Sequence, residues 1–160
     1  MKEYNLNIKM KSYQWDDLSD EQREVVSAAK EQIKNSYCPY SHFHVGAAAK
    51  LANGVIVRGS NQENAAYPSG LCAERTALFA AGAQYPDQPV RKLAIACFTG
   101  GHFTKEPGSP CGACRQVMLE TEHRYDGKME VLLYGEEEIY VFESAADLLP
   151  LIFVKENLKG

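Results

Sequence analysis

Two periods in the hydrophobic pattern predict which parts of the chain form helices and which form strands. Val25, Ala29 and Ile33 recur at four-residue steps, the spacing of one face of an amphipathic helix, over about 20–36. Ser19 precedes this pattern and predicts the N-cap, because a glutamine three residues later completes the spacing of a capping box.

Shorter apolar runs predict strands on either side of a tight turn. The runs 45–52 and 55–60 flank Asn53-Gly54, a dipeptide typical of two-residue β-hairpins. Helices alternating with strands predict an α/β fold with one mixed sheet covered by helices. The later predicted elements are a helix over 71–81, a strand over 92–98, a helix beginning at Ser109-Pro110 and ending near 122, strands over 129–134 and 139–142, and a short final helix over 144–149.

The length and composition predict one domain preceded by a short arm. The chain has 160 residues, of which 45% are hydrophobic and 24% charged, values that are ordinary for a globular protein. Residues 1–18 are polar and mixed, which predicts a poorly ordered arm. Residues 19–160 form a single predicted domain, because no repeat and no Gly-, Ser- or Pro-rich linker divides them.

Charge and the N-terminal sequence bear on partners and location. Lysine and arginine number 17 against 21 acidic residues, a formal net charge of −4. A net acidic chain is not a natural polynucleotide binder, since such binding depends on neutralising phosphates, although a local basic patch stays open. The N-terminus has no apolar run of the kind found in secretory signals, and no stretch approaches the roughly 18 to 20 apolar residues of a membrane span. We therefore expect a cytoplasmic protein that binds neither nucleic acid nor membranes.

The cysteines are the first residues in the sequence that indicate a chemical function. Their number is five, so they cannot all pair within one chain, and in a reducing compartment spaced cysteines more often bind metal or act in catalysis. Cys111 and Cys114 stand three apart at a predicted helix start, and Cys72 stands near another. Three thiolate ligands with an open fourth position are typical of a catalytic zinc site, here with one Zn²⁺ per chain. Taken alone, the Cys-x-x-Cys spacing also fits a redox pair or two buried thiols.

A glutamate and an arginine follow Cys72 directly. Zinc with three thiolates carries a formal charge of −1, which opposes ionisation of a bound water, and two helix N-termini of about +0.5 charge each would offset it. Arg75 could donate a hydrogen bond to a thiolate. Glu74 could be a fourth ligand or a free base, and in the zinc nucleobase deaminases a glutamate placed this way shuttles protons.

The motifs together resemble those of the small, homotetrameric, zinc-dependent cytidine deaminases of pyrimidine salvage. The resemblance implies a three-layer α/β/α sandwich around a mixed five-stranded sheet. It also implies hydrolysis of cytidine and 2′-deoxycytidine to uridine and 2′-deoxyuridine with release of ammonia, with zinc-bound water as the nucleophile and Glu74 as the proton shuttle. It covers about 37–153 and rests on the stretches 37–43, 45–48, 61–68, 72–77 and 110–116.

The resemblance also assigns roles to single residues. Cys72, Cys111 and Cys114 would bind zinc, and Arg75 would donate a hydrogen bond to a thiolate. The residues that would contact the nucleoside are Phe43 beside it, Asn61 and Glu63 at the ribose 3′-hydroxyl, Ala73 through its backbone at the base, and, from neighbouring subunits of the homotetramer, Ala65, Tyr67 and Phe153.

Two other functions stay open. Blasticidin-type deaminases share the zinc motifs and polynucleotide-editing deaminases share the chemistry, although the Glu63 carboxylate would meet a 3′-phosphodiester unfavourably. A zinc-stabilised scaffold could use the same cysteines, but it would not need the free carboxylate of Glu74. Cys38 and His44 depart from the expected pattern and are interpreted as local variation, and Cys97 as a small buried hydrophobe.

Overall fold

A mixed sheet of seven strands runs through the centre of the computed structural model, which describes residues 1–158. The strands in chain order are β1 (Lys11–Tyr13), β2 (His44–Leu51), β3 (Ile56–Ser60), β4 (Val90–Thr99), β5 (His102–Phe103), β6 (Glu130–Tyr134) and β7 (Ile139–Phe142). Their spatial order is β1-β7-β6-β4-β2-β3, and β5 pairs with β4 beside this path. The pairing of β4 with β6 is parallel, and every other strand pair is antiparallel.

Helices cover both faces of the sheet. They are α1 (Asp20–Gln32), α2 (Ala73–Gln84) and α3 (Gly112–Arg124). The α1 helix buries its apolar face in one core cluster, while α2 and α3 share a second cluster on the opposite face. The predicted three-layer α/β/α sandwich is therefore confirmed. None of the helices within residues 1–158 combines the length and apolar character needed to cross a membrane.

The five predicted strands are present, and two short ones join them. The β5 strand forms a small hairpin with the end of β4, with Phe98 paired to Phe103. The β1 strand adds an edge next to β7 and pairs Lys11 with Val141. A strand of two or three residues is too short to show an alternating pattern, so its pairing depends on the neighbouring strand rather than on its own sequence.

Part of the predicted arm, 1–18, belongs to the fold in the structure. In addition to β1, residues Trp15–Asp17 form a 3₁₀ turn, and Leu18 is buried against α1. Lys11 forms an ion pair with Glu143 at 2.8 Å. Residues 1–10 are exposed and lack regular secondary structure. The division into an arm and a domain over 19–160 stays a prediction, and the last two residues of that range lie outside the described residues.

The start of α1 agrees with the sequence, and the other helix ends differ from it. Ser19 and Gln22 form the predicted capping box. The helix ends at Gln32 and is followed by a 3₁₀ turn, Ile33–Asn35, rather than continuing to residue 36. The predicted helix over 71–81 begins two residues later and extends to Gln84. The short final helix is a 3₁₀ turn, Ala145–Leu148, with Ser144 as its N-cap.

The predicted start of α3 at Ser109-Pro110 is wrong. Cys111 stays extended (φ −67°, ψ 164°) and its carbonyl accepts from Arg115 N, so Cys111 itself is the N-cap. Proline fixes φ but does not force its own ψ into the helical region, and it disfavours helix at the preceding residue. The corrected start places Cys111 before the helix and Cys114 in its first turn, which matters for the site below.

A close approach between backbones fixes the beginning of α2 against the sheet. A Cβ on Gly59 of β3 would lie 2.5 Å from the carbonyl oxygen of Ala73 and 2.4 Å from Ala77 N. Only glycine leaves room for this contact. The first turn of α2, with Cys72 directly before it, is therefore held at a defined height above β3.

Candidate active site

Three cysteine sulfurs meet where α2 and α3 begin. Cys72 is the N-cap of α2, Cys111 is the N-cap of α3, and Cys114 lies one turn further on. The Sγ atoms of Cys72 and Cys111 are 3.9 Å apart, and those of Cys111 and Cys114 are 3.5 Å apart. All three Sγ atoms lie within 4.8 Å of one another. The two helices thus bring together the three cysteines that the sequence singled out.

The donor set fits zinc. This is the one group of three or more His, Cys, Asp or Glu ligand atoms found close enough together among residues 1–158 to hold a metal ion. Three thiolates are soft ligands that favour zinc over magnesium or calcium. Three protein ligands leave one position of a tetrahedral metal open, as catalytic zinc sites do. Cys72, Cys111 and Cys114 are therefore placed to hold one zinc ion.

Positive charge surrounds the thiols. The side chain of Cys114 and Arg75 Nη2, at 3.6 Å, donate hydrogen bonds to Cys72 Sγ, and together they lower the pKa of Cys72 to about 5. The same thiolate raises the pKa of Arg75, which stays charged. Two helix N-termini add partial positive charge at the same place. The site therefore favours the thiolate form at Cys72, the form in which cysteine binds metal, whereas the hydrogen bond to that thiolate and burial raise the pKa of Cys114.

Glu74 is a buried carboxyl group in the first turn of α2. Its exposed fraction is 5%, and this burial raises its pKa, while the nearby Cys72 thiolate raises it further. A carboxyl group in such a setting exchanges a proton more readily near neutral pH than an exposed one. Glu74 lines the same cleft as Cys72 and Cys111, so a proton acceptor and the metal ligands face one space.

A cleft of about 780 Å³ opens in front of these residues. This volume is in the range of small-molecule sites. Besides Glu74 and two of the cysteines, five residues that the sequence predicted line it: Phe43, Asn61, Glu63, Tyr67 and Arg75. The predicted Asn61–Glu63 pair thus lies in the same cleft as the cysteines that hold the metal.

Asn61 and Glu63 also hold the loop between α1 and β2. The Asn61 amide accepts from Val45 N at 2.9 Å and donates to the Phe43 carbonyl at 2.8 Å. Glu63 Oε2 accepts from the backbone N–H of Tyr40 at 2.9 Å. A hydrogen bond from the Ser41 side chain, together with those from the backbone N–H groups of Tyr40 and Ser41, lowers the pKa of Glu63. Each side chain retains hydrogen-bonding capacity toward the cleft, since an amide and a carboxylate have more sites than these contacts use.

Four predicted residues do not line the cleft of this chain. Ala73 is fully buried as the first residue of α2, where its backbone N–H has no acceptor within the helix. Ala65 is exposed, and Phe153 is 57% exposed in the C-terminal segment, where its carbonyl accepts from Gln116 Nε2. Cys114, the third predicted ligand, is fully buried.

Several cleft residues were missed by the sequence analysis. Tyr40 and Ser41 come from the 37–43 stretch whose resemblance was recognised, but only Phe43 was selected from it. Cys97 is buried as predicted, yet it also lines the cleft beside Gly108. Period-two alternation along β4 could have identified Cys97 as a cleft residue, because Ile95 and Cys97 share the face that α2 covers. No sequence signal pointed to Gly108.

Comparison with known proteins agrees with this arrangement. Residues 19–125 match the model of the family described as "Cytidine and deoxycytidylate deaminase zinc-binding region". The chain belongs to this family. The matched range contains all three cysteines and Glu74, so it covers the metal site completely. The protein is accordingly a zinc-dependent enzyme of the cytidine deaminase type.

Individual deaminases show how much of the chain the likeness covers. A cytidine deaminase from Sporosarcina psychrophila is 40% identical over 134 residues, which is 84% of this chain and 92% of the relative. The crystal structure of a cytidine deaminase from Burkholderia pseudomallei superposes with a TM-score of 0.68 at 42% identity, covering 81% of this chain and 97% of that one. The crystal structure of the cytidine deaminase from Mycobacterium tuberculosis superposes with a TM-score of 0.64 at 29% identity, covering 82% of this chain and 95% of that one.

Proposed function

We propose that this deaminase hydrolyses cytidine and 2′-deoxycytidine to uridine and 2′-deoxyuridine, releasing ammonia, in pyrimidine salvage. The observation that carries the proposal is the buried carboxyl of Glu74, which shares a cleft with a three-cysteine zinc site and with Asn61 and Glu63. A scaffold zinc site would not need a buried acid facing an open cleft. The names of the relatives support the same reaction.

The three cysteines and Glu74 divide the chemistry between them. Zinc held by the thiolates supplies a Lewis acid that makes water nucleophilic toward C4 of cytosine. Glu74 accepts the proton of the attacking water and delivers a proton to N3, which makes C4 more electrophilic. Glu74 then takes the proton of the C4 hydroxyl in the tetrahedral adduct and transfers it to the amino group, so that the C4 carbonyl forms as the C–N bond breaks and ammonia leaves. One carboxyl thus serves as base and acid, which its raised pKa supports.

Other residues of the cleft hold the nucleoside. Asn61 and Glu63 bind the ribose 3′-hydroxyl, because a carboxylate accepts from a hydroxyl and an amide can donate or accept. Phe43, 37% exposed in the cleft, contacts the nucleoside with its ring. The backbone of Ala73 contacts the base from the start of α2. A free 3′-hydroxyl suits Glu63 better than a negatively charged phosphodiester, which favours nucleosides over oligonucleotides.

The protein is a cytoplasmic homotetramer whose subunits share their active sites. Exposed side chains support this part of the proposal. Tyr67 is 78% exposed at the edge of the cleft, and Phe153 and Ala65 lie exposed outside it. In the tetramer they reach a neighbouring cleft, Ala65 and Tyr67 near the ribose 5′-end and Phe153 as an aromatic contact. Sedimentation tests this: a monomer would contradict the roles of all three.

Release of uridine from the zinc-loaded protein is the decisive experiment. Cytidine, 2′-deoxycytidine and a cytosine-containing oligonucleotide are compared at equal concentration by chromatography. We expect rapid conversion of both nucleosides, little of the oligonucleotide, and loss of activity on chelation that zinc restores. Equal rates on the oligonucleotide would contradict the nucleoside assignment. No uridine from a protein with one bound zinc would favour a scaffold role.

A further inference from the structure

A second cluster of polar side chains lies outside the cleft, behind the loop between α1 and β2. Nδ1 of His44 is 2.5 Å from Ser36 Oγ and 3.2 Å from Cys38 Sγ. Cys38 is buried, with an exposed fraction of 5%. None of the three residues lines the cleft. The sequence analysis set Cys38 and His44 aside as local variation, yet the fold brings them into contact.

The cluster joins the two ends of one loop. Ser36 ends the 3₁₀ turn that follows α1, Cys38 comes two residues later, and His44 is the first residue of β2. The His44 ring also packs edge-on against Phe98 of β4, with ring centroids 6.2 Å apart. The imidazole is therefore fixed to the central sheet on one side and bonded to the start of the loop on the other.

The segment between these ends, residues 39–43, builds one wall of the cleft. It contributes Tyr40, Ser41 and Phe43 to the lining. Its turn is held locally by a bond from His42 N to the Cys38 carbonyl, with His42 at a φ of 55°. Non-glycine residues seldom adopt this left-handed conformation, histidine more often than most, and contacts from outside the turn help to hold it.

On the cleft side, that support comes from the side chains that bind the sugar. Glu63 accepts from Tyr40 N and Ser41 N, and Asn61 bonds Phe43 O and Val45 N. A ribose hydroxyl competes for the same oxygen atoms and amide. An attachment that substrate does not touch would keep the loop in place while these bonds are shared, and the cluster behind the loop is such an attachment.

We propose that His44 is a positioning residue for the nucleoside, acting through Ser36 and Cys38 on the loop that carries Tyr40, Ser41 and Phe43. The inference takes its substrate from the proposed function, whereas the contacts of His44 with Ser36 and Cys38 do not depend on that function. In the neutral ring, Nδ1 accepts from the hydroxyl or the thiol; with a proton on Nδ1 it donates to Ser36 Oγ. In either form, removal of the ring disconnects the two ends of the loop.

Substitution of His44 separates this role from one in the metal site. We expect His44→Ala to raise KM for cytidine about tenfold, the equivalent of one or two hydrogen bonds, with kcat within about threefold and zinc content unchanged. Amide hydrogen exchange should quicken in residues 39–43 and stay constant in α1. His44→Asn, whose amide can occupy the place of Nδ1, should restore most of the KM. His102→Ala serves as the control, since His102 is an exposed histidine that bonds only to its neighbour's carbonyl.

Two results would overturn the proposal. One is a wild-type KM together with wild-type exchange in 39–43, which would show that the loop does not depend on His44. The other is a loss of zinc and of kcat at unchanged KM, which would place the effect at the metal instead. If the wild-type protein forms no uridine, the proposed function fails, and the exchange rates alone then decide whether His44 fixes the loop.

Discussion

Cys97 lies directly behind Gly108 in the wall of the cleft. A Cβ on Gly108 would lie 2.5 Å from Cys97 Sγ and 3.4 Å from Cys97 Cβ. Gly108 stands three residues before Cys111, whereas Cys97 belongs to the central strand β4. The contact therefore sets how closely the segment that delivers a zinc ligand can approach the sheet.

Gly108→Ala should weaken both the fold and the site. Overpacking of a close contact costs about 1–3 kcal/mol, and the shift needed to relieve it would move the segment that leads to Cys111. We expect a lower midpoint of thermal unfolding and a several-fold loss of kcat/KM. The double variant Gly108→Ala, Cys97→Ala should recover much of both, because only an ordinary contact at 3.4 Å then remains. Equal losses in the single and double variants would show that Cys97 is not the obstacle.

Glu74→Gln should retain zinc and lose turnover. The amide has nearly the shape of the carboxyl but cannot accept a proton from water, and general acid–base catalysis contributes about 10²–10⁴ in rate. We expect kcat to fall by a factor of at least about 10², while elemental analysis still finds one zinc per chain. Arg75→Gln is an informative comparison, since it changes the hydrogen bond to Cys72 but keeps the acid. Retained deamination in Glu74→Gln would remove Glu74 from the proton transfers.

The sequence predicted the metal site well because its ligands are defined by local patterns. Cys111 and Cys114 lie within one helical turn, and Glu74 lies two residues from Cys72, so spacing alone brings most of the site together. The wrong start of α3 did not disturb this prediction. The cysteines were expected at helix starts, and the structure makes Cys72 and Cys111 the N-caps themselves.

The rest of the site depends on contacts that local patterns do not record. Gly108 was missed because its role depends on its contact with Cys97, which lies eleven positions earlier in the sequence. The two residues come into contact only when β4 is part of the sheet. His44 was set aside because its partner atoms lie at the opposite end of a loop. The β1 strand was missed because its partner, β7, follows more than a hundred residues later. Pairings over such distances are fixed by the whole sheet rather than by either segment.

Glu63→Gln should raise KM more than it lowers kcat. The amide replaces one acceptor oxygen by a donor, facing the N–H groups of Tyr40 and Ser41 and the proposed sugar hydroxyl. Loss of a charge-assisted hydrogen bond is worth about 1.5–3 kcal/mol, so we expect KM for cytidine to rise roughly tenfold to a hundredfold. Gln62→Glu, which changes a neighbouring side chain of the cleft, is the control for a general effect of charge.

The pH dependence of binding follows from the same group. Hydrogen bonds lower the pKa of Glu63 below the ordinary carboxyl value of 4.5, so the carboxylate persists at the pH where an exposed glutamate begins to protonate. Its contribution to holding the loop is thus present above that value and is lost only as pH falls through the lowered pKa. The ratio of KM between Glu63→Gln and the wild-type protein should therefore stay level down to pH 4.5, and a fall in that ratio that begins near pH 6 would contradict this account.

Glu122 is a buried acid of α3 that supports the C-terminal segment. Its carboxylate accepts from Met129 N at 2.7 Å, Ser144 Oγ at 2.8 Å and Ala145 N at 2.9 Å. These bonds join α3 to the beginning of β6 and to the 3₁₀ turn over 145–148, whose last carbonyl accepts from Arg115. The segment that carries Phe153 follows this turn, so Glu122 links the helix that begins at Cys111 and Cys114 to a proposed intersubunit contact.

Glu122→Ala should destabilise the protein by about 3 kcal/mol, because three buried donors lose a charged acceptor. Glu122→Gln should cost less, since its amide oxygen still accepts from some of them. For a chain of this size each kcal/mol lowers the unfolding midpoint by about 2–4 °C, which calorimetry resolves. Glu120→Ala removes an exposed glutamate of the same helix and should change the midpoint little. Equal shifts of the unfolding midpoint for Glu120→Ala and Glu122→Ala would mean that the hydrogen bonds of the buried carboxylate add nothing to stability beyond the helix propensity of a glutamate. A larger shift for Glu122→Ala, with dissociation of the proposed tetramer at lower temperature, would connect the turn over 145–148 to assembly.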